Sequence, residues 1–273
     1  MSYSFEPGRA YRMPTHFGPV PGPRQQPDGV TRNWKHSPQT LTVSASFLTD
    51  PERLERHLPE GFALAGDPVV TVDFHYMTGI DWLAGRGYNM IFVTWPAAFK
   101  GRHDKATGKF LSVIWENLAD PIIAGRDEIG HPKLYAEIPE PRFWDGAQIS
   151  TASWMGFRFL DLTVSELRDA PPSPADAHSD GTMMLKYIPR TGASGEADVN
   201  QVTITPAEDP DTTVDRRQTG IGAVRFHRST ISDLPTMHHV VNALADLPVL
   251  EARGGSLTQS HGSKWSRDQR VLL

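Results

Sequence analysis

The chain has 273 residues and a formal net charge of −5, and it contains no cysteine. That length suits one large domain or two modest ones, with a core that could enclose a cavity. The charge gives no reason to expect binding to nucleic acid or anionic membrane, and the absence of cysteine excludes disulfides, thiolate nucleophiles and cysteine-ligated metals. There is no apolar run near the roughly 20 residues of a membrane span. Since Met1–Glu6 also lacks a signal-peptide pattern, we expect a cytoplasmic protein.

Residues 1–38 are predicted to form an extended arm rich in proline and glycine. Prolines remove backbone donors throughout it, so neither a helix nor a central strand is expected there. These prolines are Pro7, Pro14, Pro19, Pro21, Pro23 and Pro27. Two alternatives stay open: the arm is loose, or it wraps a neighbouring subunit of a homo-oligomer, which is the assembly we expect. Residues 39–273 are predicted to form a single domain.

Most segments beyond the arm alternate apolar and polar residues, which is typical of half-buried strands. Strands are predicted at 40–47, 69–77, 88–95, 110–115, 152–162, 183–188, 201–205 and 223–227. Short helices are predicted after Asp50, over 117–127 and from Asp233 to Leu244. The stretch 171–181 is predicted to be a flexible loop, and the polar tail from Gly254 is predicted to fray. The pattern therefore predicts a β-rich α+β domain whose strands can close round a cavity.

One lysine differs from the others in its surroundings. Lys133 directly follows the turn Gly130–Pro132 and enters a mostly apolar extended segment, in which Leu134 and Ile138 share the opposite face. Surface lysines usually lie among other charges on helices and loops. We therefore interpret Lys133 as a buried amine nucleophile, with an ordinary surface lysine as the alternative.

Most standard catalytic and metal-binding motifs are absent. There is no P-loop, no Gly-x-Ser-x-Gly and no His-Glu-x-x-His, and Gly220–Gly222 lacks the third glycine of a dinucleotide fingerprint. His238 and His239 are adjacent on a predicted helix, so their side chains diverge by about 100°. Asp73 and His75 share a strand face and could be two metal ligands, but a hydrogen-bonded pair that lines a pocket is the preferred interpretation. We therefore predict no metal site.

Five segments carry a resemblance to a known family. Gly125-Arg126-Asp127-Glu128, followed after three residues by Pro132-Lys133, resembles the active-site segment of the acetoacetate decarboxylase family. In that family Gly-Arg-Glu precedes Pro-Lys-Lys, and the first lysine forms the Schiff base. The other segments occur in the same order as in the family, and they are Thr49–Pro51, Leu58–Gly61, Met184–Pro189 and Ala243–Pro248. The similarity covers roughly residues 40–255.

The resemblance implies a β-cone or closed barrel with a few flanking helices, and a buried lysine that attacks a ketone without a metal or organic cofactor. An amine is nucleophilic only when neutral, and burial lowers the pKa of a lysine towards the neutral range. The iminium that forms is an electron sink. It serves decarboxylation, aldol or retro-aldol reaction, and dehydration equally well.

The sequence departs from the family pattern at three positions. The second lysine of the motif is Leu134 here, the family's arginine falls on Thr40, and its key pocket glutamate falls on Met90. A gap in the alignment would give the place of the arginine to Arg32 or Lys35 instead. These changes make acetoacetate decarboxylation itself doubtful, because the arginine and the glutamate place the substrate carboxylate and handle protons.

We therefore predict a Schiff-base lyase that performs aldol, retro-aldol or dehydration chemistry on a small keto acid. The alternatives are a β-keto acid decarboxylase with an altered substrate, and a non-catalytic barrel that binds an apolar or keto ligand. Lys133 is the predicted nucleophile, with Asp73, at the place of a second family carboxylate, and Tyr88 as proton-handling residues. The predicted substrate-binding residues are His75, Met90, Glu116, Trp115, His131 and Thr40. Arg126 and Glu128 are predicted to form a structural ion pair near the site.

Overall fold

The computed structural model describes residues 3–171, 179–264 and 268–273, and within them one large sheet dominates. The strands are β1 (Gln39–Leu48), β2 (Phe62–Leu64), β3 (Val69–Ile80), β4 (Arg86–Lys100), β5 (Lys105–Glu116), β6 (Lys133–Tyr135), β7 (Arg142–Trp144), β8 (Ala147–Trp154), β9 (Phe157–Asp169), β10 (Gly181–Pro189), β11 (Ala197–Pro206), β12 (Thr213–Phe226), β13 (Glu251–His261) and β14 (Arg270–Leu272). The α-helices are α1 (Pro51–Glu55), α2 (Ala119–Ala124) and α3 (His238–Ala245). None of the helices in these ranges has the length and apolarity needed to cross a membrane.

The strand order is β14-β11-β10-β5-β4-β3-β1-β13-β12-β9-β8-β7, with β2 added to β4 and β6 added to β5. Most neighbours are antiparallel, whereas β10 and β6 run parallel to β5. The predicted β-rich α+β class is confirmed. The predicted shape was a β-cone or a closed barrel, and the path of described strands is not closed. Closure requires the two end strands to pair with each other, and the ends here are the three-residue strands β14 and β7.

The two faces of β3 have different environments. Val70, Val72 and Phe74 are fully buried in the main core, together with apolar residues of β1, β4, β9 and α3. The alternate residues of β3, which include Asp73 and His75, lie on the opposite face, because successive side chains of a strand point to opposite sides. This face holds the cavity described below.

The helix predicted over 117–127 is shorter in the structure. Helix α2 ends at Ala124, and a π-helical turn over Gly125–Ile129 follows it. Gly130 then ends the turn with φ of +78°, in the left-handed region that glycine adopts readily. A side chain at this position would also clash, since a Cβ would lie 2.5 Å from Cβ of Lys186. The turn reverses the chain so that β6 runs alongside β5.

The predicted fraying of the tail from Gly254 is wrong. Strand β13 lies inside the sheet, paired with β1 on one side and β12 on the other. Its Ser, Thr and Gly residues give no apolar period, so only pairing with strands remote in sequence reveals it. The helix predicted from Asp233 begins at His238. Residues 172–178 of the predicted loop lie outside the described residues.

The described part of the N-terminal arm lies against its own chain. The Ser37 hydroxyl donates to the Gly79 carbonyl at 2.8 Å, and the Ser263 amide donates to the Trp34 carbonyl at 3.0 Å. Trp34 is almost completely buried, and so is Gln25. Pro23 and Arg24 of the arm line the cavity described below.

Candidate active site

A cavity of about 460 Å³ lies on the face of β3 that carries His75. Its wall combines strands β1, β3, β4 and β13 with α2, the π-helical turn and the N-terminal arm. Six of the predicted site residues line it, and they are Thr40, His75, Tyr88, Met90, His131 and Lys133. The sheet thus brings together residues that are up to 93 positions apart in the sequence.

Lys133 extends its amine into a nearly dry environment. Its side chain is only 7% exposed, and its Nζ lies 2.7 Å from Oε1 of Glu116, which is 0% exposed. The same Nζ donates a hydrogen bond of 3.0 Å to the Pro121 carbonyl. Glu116 accepts no hydrogen bond from other described groups. Each charged group is therefore balanced mainly by the other.

The glycine of the Gly-Arg-Asp-Glu segment makes room for this lysine. A Cβ at Gly125 would lie 2.4 Å from Cε and 2.6 Å from Nζ of Lys133, both well inside van der Waals contact. The neighbouring Arg126 donates from Nη1 to the Lys133 carbonyl at 2.8 Å, which anchors the backbone of β6. The segment and the lysine therefore form one packed unit.

Burial drives both members of the Lys133–Glu116 pair towards their neutral forms. Burial lowers the pKa of Lys133, while the nearby Glu116 opposes this shift and the Arg24 guanidinium adds to it. Burial also raises the pKa of Glu116, against the opposing influence of Lys133. Both pKa shifts favour a neutral amine on Lys133 beside a protonated carboxyl group on Glu116. A nucleophilic lysine requires a neutral amine.

Two further groups near the amine are neutral at neutral pH. Burial, followed by the positive charges of Lys133 and Arg24, holds the pKa of His131 well below its ordinary value. Its Nδ1 is buried and has no hydrogen-bond partner among the described residues. Burial and the Glu116 carboxylate raise the pKa of Tyr88 well above its ordinary value, so Tyr88 keeps its phenolic proton.

His75 occupies another part of the cavity wall. Its Nδ1 lies 3.0 Å from Oγ1 of Thr42, and its ring meets that of Phe92 edge-on with centroids 5.0 Å apart. Burial lowers the pKa of His75, against the raising effect of Asp73. Thr40 lines the cavity beside it.

Three of the predicted catalytic and substrate-binding residues do not line the cavity: Glu116, which contacts Lys133 instead, Trp115 and Asp73. Trp115 is fully buried on the core face, where its Nε1 donates to Sδ of Met237 at 3.4 Å. Its predicted role in substrate binding is wrong, because alternation along β5 points Trp115 away from Glu116. Asp73 accepts a short hydrogen bond from the Ser44 hydroxyl and is not among the residues that line the cavity. The structure therefore does not place Asp73 as a proton-handling group.

The predicted ion pair between Arg126 and Glu128 is absent within the described part of the chain. Residues two apart on a helical turn do not face each other, which explains the error. Glu128 instead accepts from Nη1 of Arg12 at 2.9 Å and from Nη1 of Arg24 at 2.5 Å. Both arginines belong to the arm, so Glu128 fastens the arm to the π-helical turn.

Arg24 is the functional candidate that the sequence pattern missed. It lines the cavity, and its Nε is buried without a hydrogen-bond partner in the described ranges. Arg32, considered above for this place, instead donates from Nε to the Gly22 carbonyl and is not a lining residue. The available signal was a single basic residue after Pro23, within an arm that showed no period.

The described residues contain no cluster of three or more His, Cys, Asp or Glu side chains suited to a metal ion. The sequence matches the family model for acetoacetate decarboxylase over residues 12–263. The chain belongs to the acetoacetate decarboxylase family. In this family member, the matched region includes both the segment that surrounds Lys133 and the part of the arm that carries Arg24.

Solved structures agree with this family assignment. An acetoacetate decarboxylase from Legionella pneumophila has 20% identity and a TM-score of 0.64, covering 93% of this chain and 92% of that chain. An acetoacetate decarboxylase-like enzyme from Sphingomonas wittichii RW1 has 18% identity and a TM-score of 0.62, with coverages of 85% and 93%. The enduracididine biosynthesis enzyme MppR, complexed with the condensation product of pyruvate and imidazole 4-carboxaldehyde, has 18% identity and a TM-score of 0.63, with coverages of 92% and 97%. No curated protein matches the sequence of this acetoacetate decarboxylase family member.

Proposed function

We propose that this enzyme forms a Schiff base between Lys133 and a small keto acid, and that it performs aldol-type condensation with dehydration rather than acetoacetate decarboxylation. The observation that supports this most directly is the buried amine of Lys133, which lines a cavity and lies 2.7 Å from the buried carboxyl group of Glu116. A buried ion pair is a weak source of stability, because desolvation offsets most of the attraction between its charges.

The proposed reaction begins when the neutral Lys133 amine attacks the carbonyl carbon of the keto acid. The proton lost by the nitrogen passes to the carbonyl oxygen, which gives a carbinolamine. The protonated carboxyl group of Glu116 then donates its proton to the carbinolamine hydroxyl, and this hydroxyl leaves as water. The product is an iminium cation beside a Glu116 carboxylate, so the net charge of the buried site does not change.

The iminium next loses a proton from the adjacent carbon and becomes an enamine. Nδ1 of His131 is the proposed acceptor of this proton in the tautomer that leaves it unprotonated, because it is buried, unpartnered among the described groups and close to Lys133. The enamine carbon then forms a bond to an aldehyde carbon, whose oxygen takes the proton held by His131, and the iminium forms again. A second proton leaves the same carbon and joins the new hydroxyl, which departs as water. Hydrolysis of the iminium releases the condensation product, with the amine of Lys133 neutral again and the proton returned to Glu116.

We further propose that Arg24 binds the carboxylate of the keto acid. Its unpartnered Nε and the adjacent Nη2 present two parallel N–H donors, an arrangement that suits a carboxylate. Glu128 holds the other side of the guanidinium. An arginine that places the carboxylate serves condensation and decarboxylation alike. The preference for condensation therefore rests on Met90, which stands where the family has its pocket glutamate.

Trapping with borohydride tests the proposed covalent step. The protein is incubated with pyruvate or with acetoacetate, reduced, digested and analysed by mass spectrometry, with Lys133→Arg as the matched variant that keeps a positive charge. We expect a reduced adduct on Lys133 and none in the variant. If neither pyruvate nor acetoacetate gives an adduct, the Schiff-base proposal is rejected. Release of carbon dioxide from acetoacetate would instead favour a decarboxylase, whereas a condensation product from pyruvate and an aromatic aldehyde would favour the aldol-type reaction.

A further inference from the structure

The cavity continues across the sheet well beyond Lys133. In the strand register, Glu116 of β5 is paired with Met90 of β4, and Met90 with His75 of β3. The next partner of His75 is Thr42 of β1. Neighbouring strands are about 4.8 Å apart, so His75 lies roughly 10 Å from Glu116, measured along the sheet. A ligand held on Lys133 needs an extended body to reach it.

In the register, Met90 lies between these two places. Met77, Phe92 and Leu111 add further apolar surface to the same cavity. The cavity volume of about 460 Å³ falls within the range of roughly 300–1,000 Å³ that is typical of sites for drug-sized ligands. A four-carbon keto acid would leave most of this space unfilled. The volume and these apolar side chains therefore favour a longer substrate with an apolar middle.

At the far end, His75 is held in a defined orientation. Its Nδ1 is engaged by Oγ1 of Thr42 at 3.0 Å, and the edge contact with Phe92 restrains the ring plane. Nε2 of His75 makes no hydrogen bond within the described residues, and the side chain lines the cavity. The neutral imidazole presents either a donor or an acceptor at Nε2, according to its tautomer. A hydroxyl group can bond with either form, because it both donates and accepts.

We propose that His75, oriented by Thr42, is a subsite for a hydroxyl group at the distal end of the substrate. The proposed ligand is a keto acid whose carbonyl lies at Lys133. Its central part is apolar, as an aromatic ring is, and ends in a hydroxyl group. This inference rests on the proposed Schiff-base function for the position of the carbonyl. The hydrogen bond at His75 itself does not depend on covalent chemistry, so the two ideas can fail separately.

A pair of matched probes tests the subsite. The two probes are 4-hydroxyphenylpyruvate and 4-methylphenylpyruvate, which differ only by a hydroxyl in place of a methyl. Calorimetry gives the dissociation constant of each. We expect the wild-type protein to bind the hydroxyl probe at least about tenfold more tightly, since a site built to bond a hydroxyl discriminates strongly against an analogue without it. The ratio should fall to near one in His75→Phe and decrease several-fold in Thr42→Val. His227→Phe, which removes a histidine bonded to Asp161 outside the cavity, is the matched control and should keep the wild-type ratio.

Three outcomes would overturn the subsite: equal affinity of the wild-type protein for both probes, an unchanged ratio in His75→Phe and Thr42→Val, or no binding of either probe. The Lys133→Met variant separates this test from the proposed function. If the affinity ratio persists there and in the wild type, while borohydride traps no adduct on Lys133, the subsite stands and the Schiff-base proposal fails. If borohydride traps pyruvate on Lys133 but the two probes bind with equal affinity, the Schiff-base proposal stands and the subsite fails.

Discussion

Replacing Glu116 with glutamine should make the Lys133 amine easier to deprotonate and yet slow the formation of its iminium. The substitution keeps the size of the side chain but removes its charge and its acidic proton. Glu116 is the strongest opposing influence on the lowered pKa of Lys133, so its loss leaves burial and Arg24 opposed only by the weaker influence of Glu128. The pKa of Lys133 should therefore fall further.

The size of the effect follows from the distance in the pair. Two unit charges 2.7 Å apart attract by about 6 kcal/mol at an effective dielectric constant of about 20. Even a quarter of that attraction changes the protonation equilibrium of the amine about tenfold, since 1.4 kcal/mol corresponds to one factor of ten. Easier deprotonation of Lys133 by itself favours attack on the carbonyl. The variant also lacks the acid that protonates the leaving hydroxyl, and this loss should slow iminium formation about 100-fold or more.

Two measurements on the same protein separate these effects. The rate at which an amine-acylating reagent labels Lys133 is followed against pH by mass spectrometry, and its midpoint should move to lower pH in Glu116→Gln. The rate of borohydride trapping with pyruvate should fall in the same variant. Glu137→Gln is the matched control, because Glu137 accepts from the Ser153 hydroxyl and does not line the cavity.

A labelling midpoint that stays in place, or that moves to higher pH, would refute the coupling between Glu116 and Lys133. An unchanged trapping rate with a lowered midpoint would keep the electrostatic coupling but reject Glu116 as the acid that expels water. Identical changes in Glu137→Gln would show that the effect arises from net charge and not from the buried pair.

Three other variants test the same site. In Lys133→Met, Glu116 remains buried without its opposing cation, so its pKa in the folded protein is raised further. The folded protein then keeps a proton on Glu116 that the unfolded chain loses above about pH 4.3. The free energy of unfolding and the Tm should therefore fall as pH rises from 5 to 8. In Gly125→Ala, the new Cβ displaces the lysine side chain, so borohydride trapping should slow at least tenfold, with a loss of about 1–3 kcal/mol of stability in urea unfolding. In Arg24→Gln, trapping of pyruvate relative to acetone should fall about tenfold, because a hydrogen bond to a charged group contributes roughly 1.5–3 kcal/mol.

Each of these variants has a control within the chain. The double variant Lys133→Met with Glu116→Gln should lose the pH dependence, and its persistence would contradict the role of Glu116. Gly22→Ala adds a Cβ that meets only Nη2 of Arg12 at 3.9 Å, so trapping as slow as in Gly125→Ala would rule out the steric argument. Arg32→Gln should keep the pyruvate-to-acetone ratio of the wild type, and an equal fall there would show that the carboxylate is not bound by Arg24.

Local sequence was sufficient for the features that depend on neighbours in the chain. Alternation of apolar and polar residues identified most strands, including those that carry His75, Tyr88 and Met90. The Gly-x-Pro turn before an apolar segment singled out Lys133, and the structure buries its amine. These inferences worked because strand faces and turns are set by side-chain period and backbone geometry over a few residues.

Pairing between strands remote in sequence decided the rest. The polar strand β13 is ordered because β1 and β12 flank it, although its own residues carry no apolar period. The parallel pairing of β6 with β5 determines that Lys133 comes close to Glu116, and alternation along β5 removes Trp115 from the site.

The arginine that lines the cavity shows the same limit most clearly. Arg24 lies in an arm without a period, and an ion pair with Glu128, 104 positions later, holds it there. The buried position of Lys133 was readable from the sequence, because it depends on the turn and the apolar residues next to it. The partners that complete the site depend on contacts that form only when the sheet and the arm fold together.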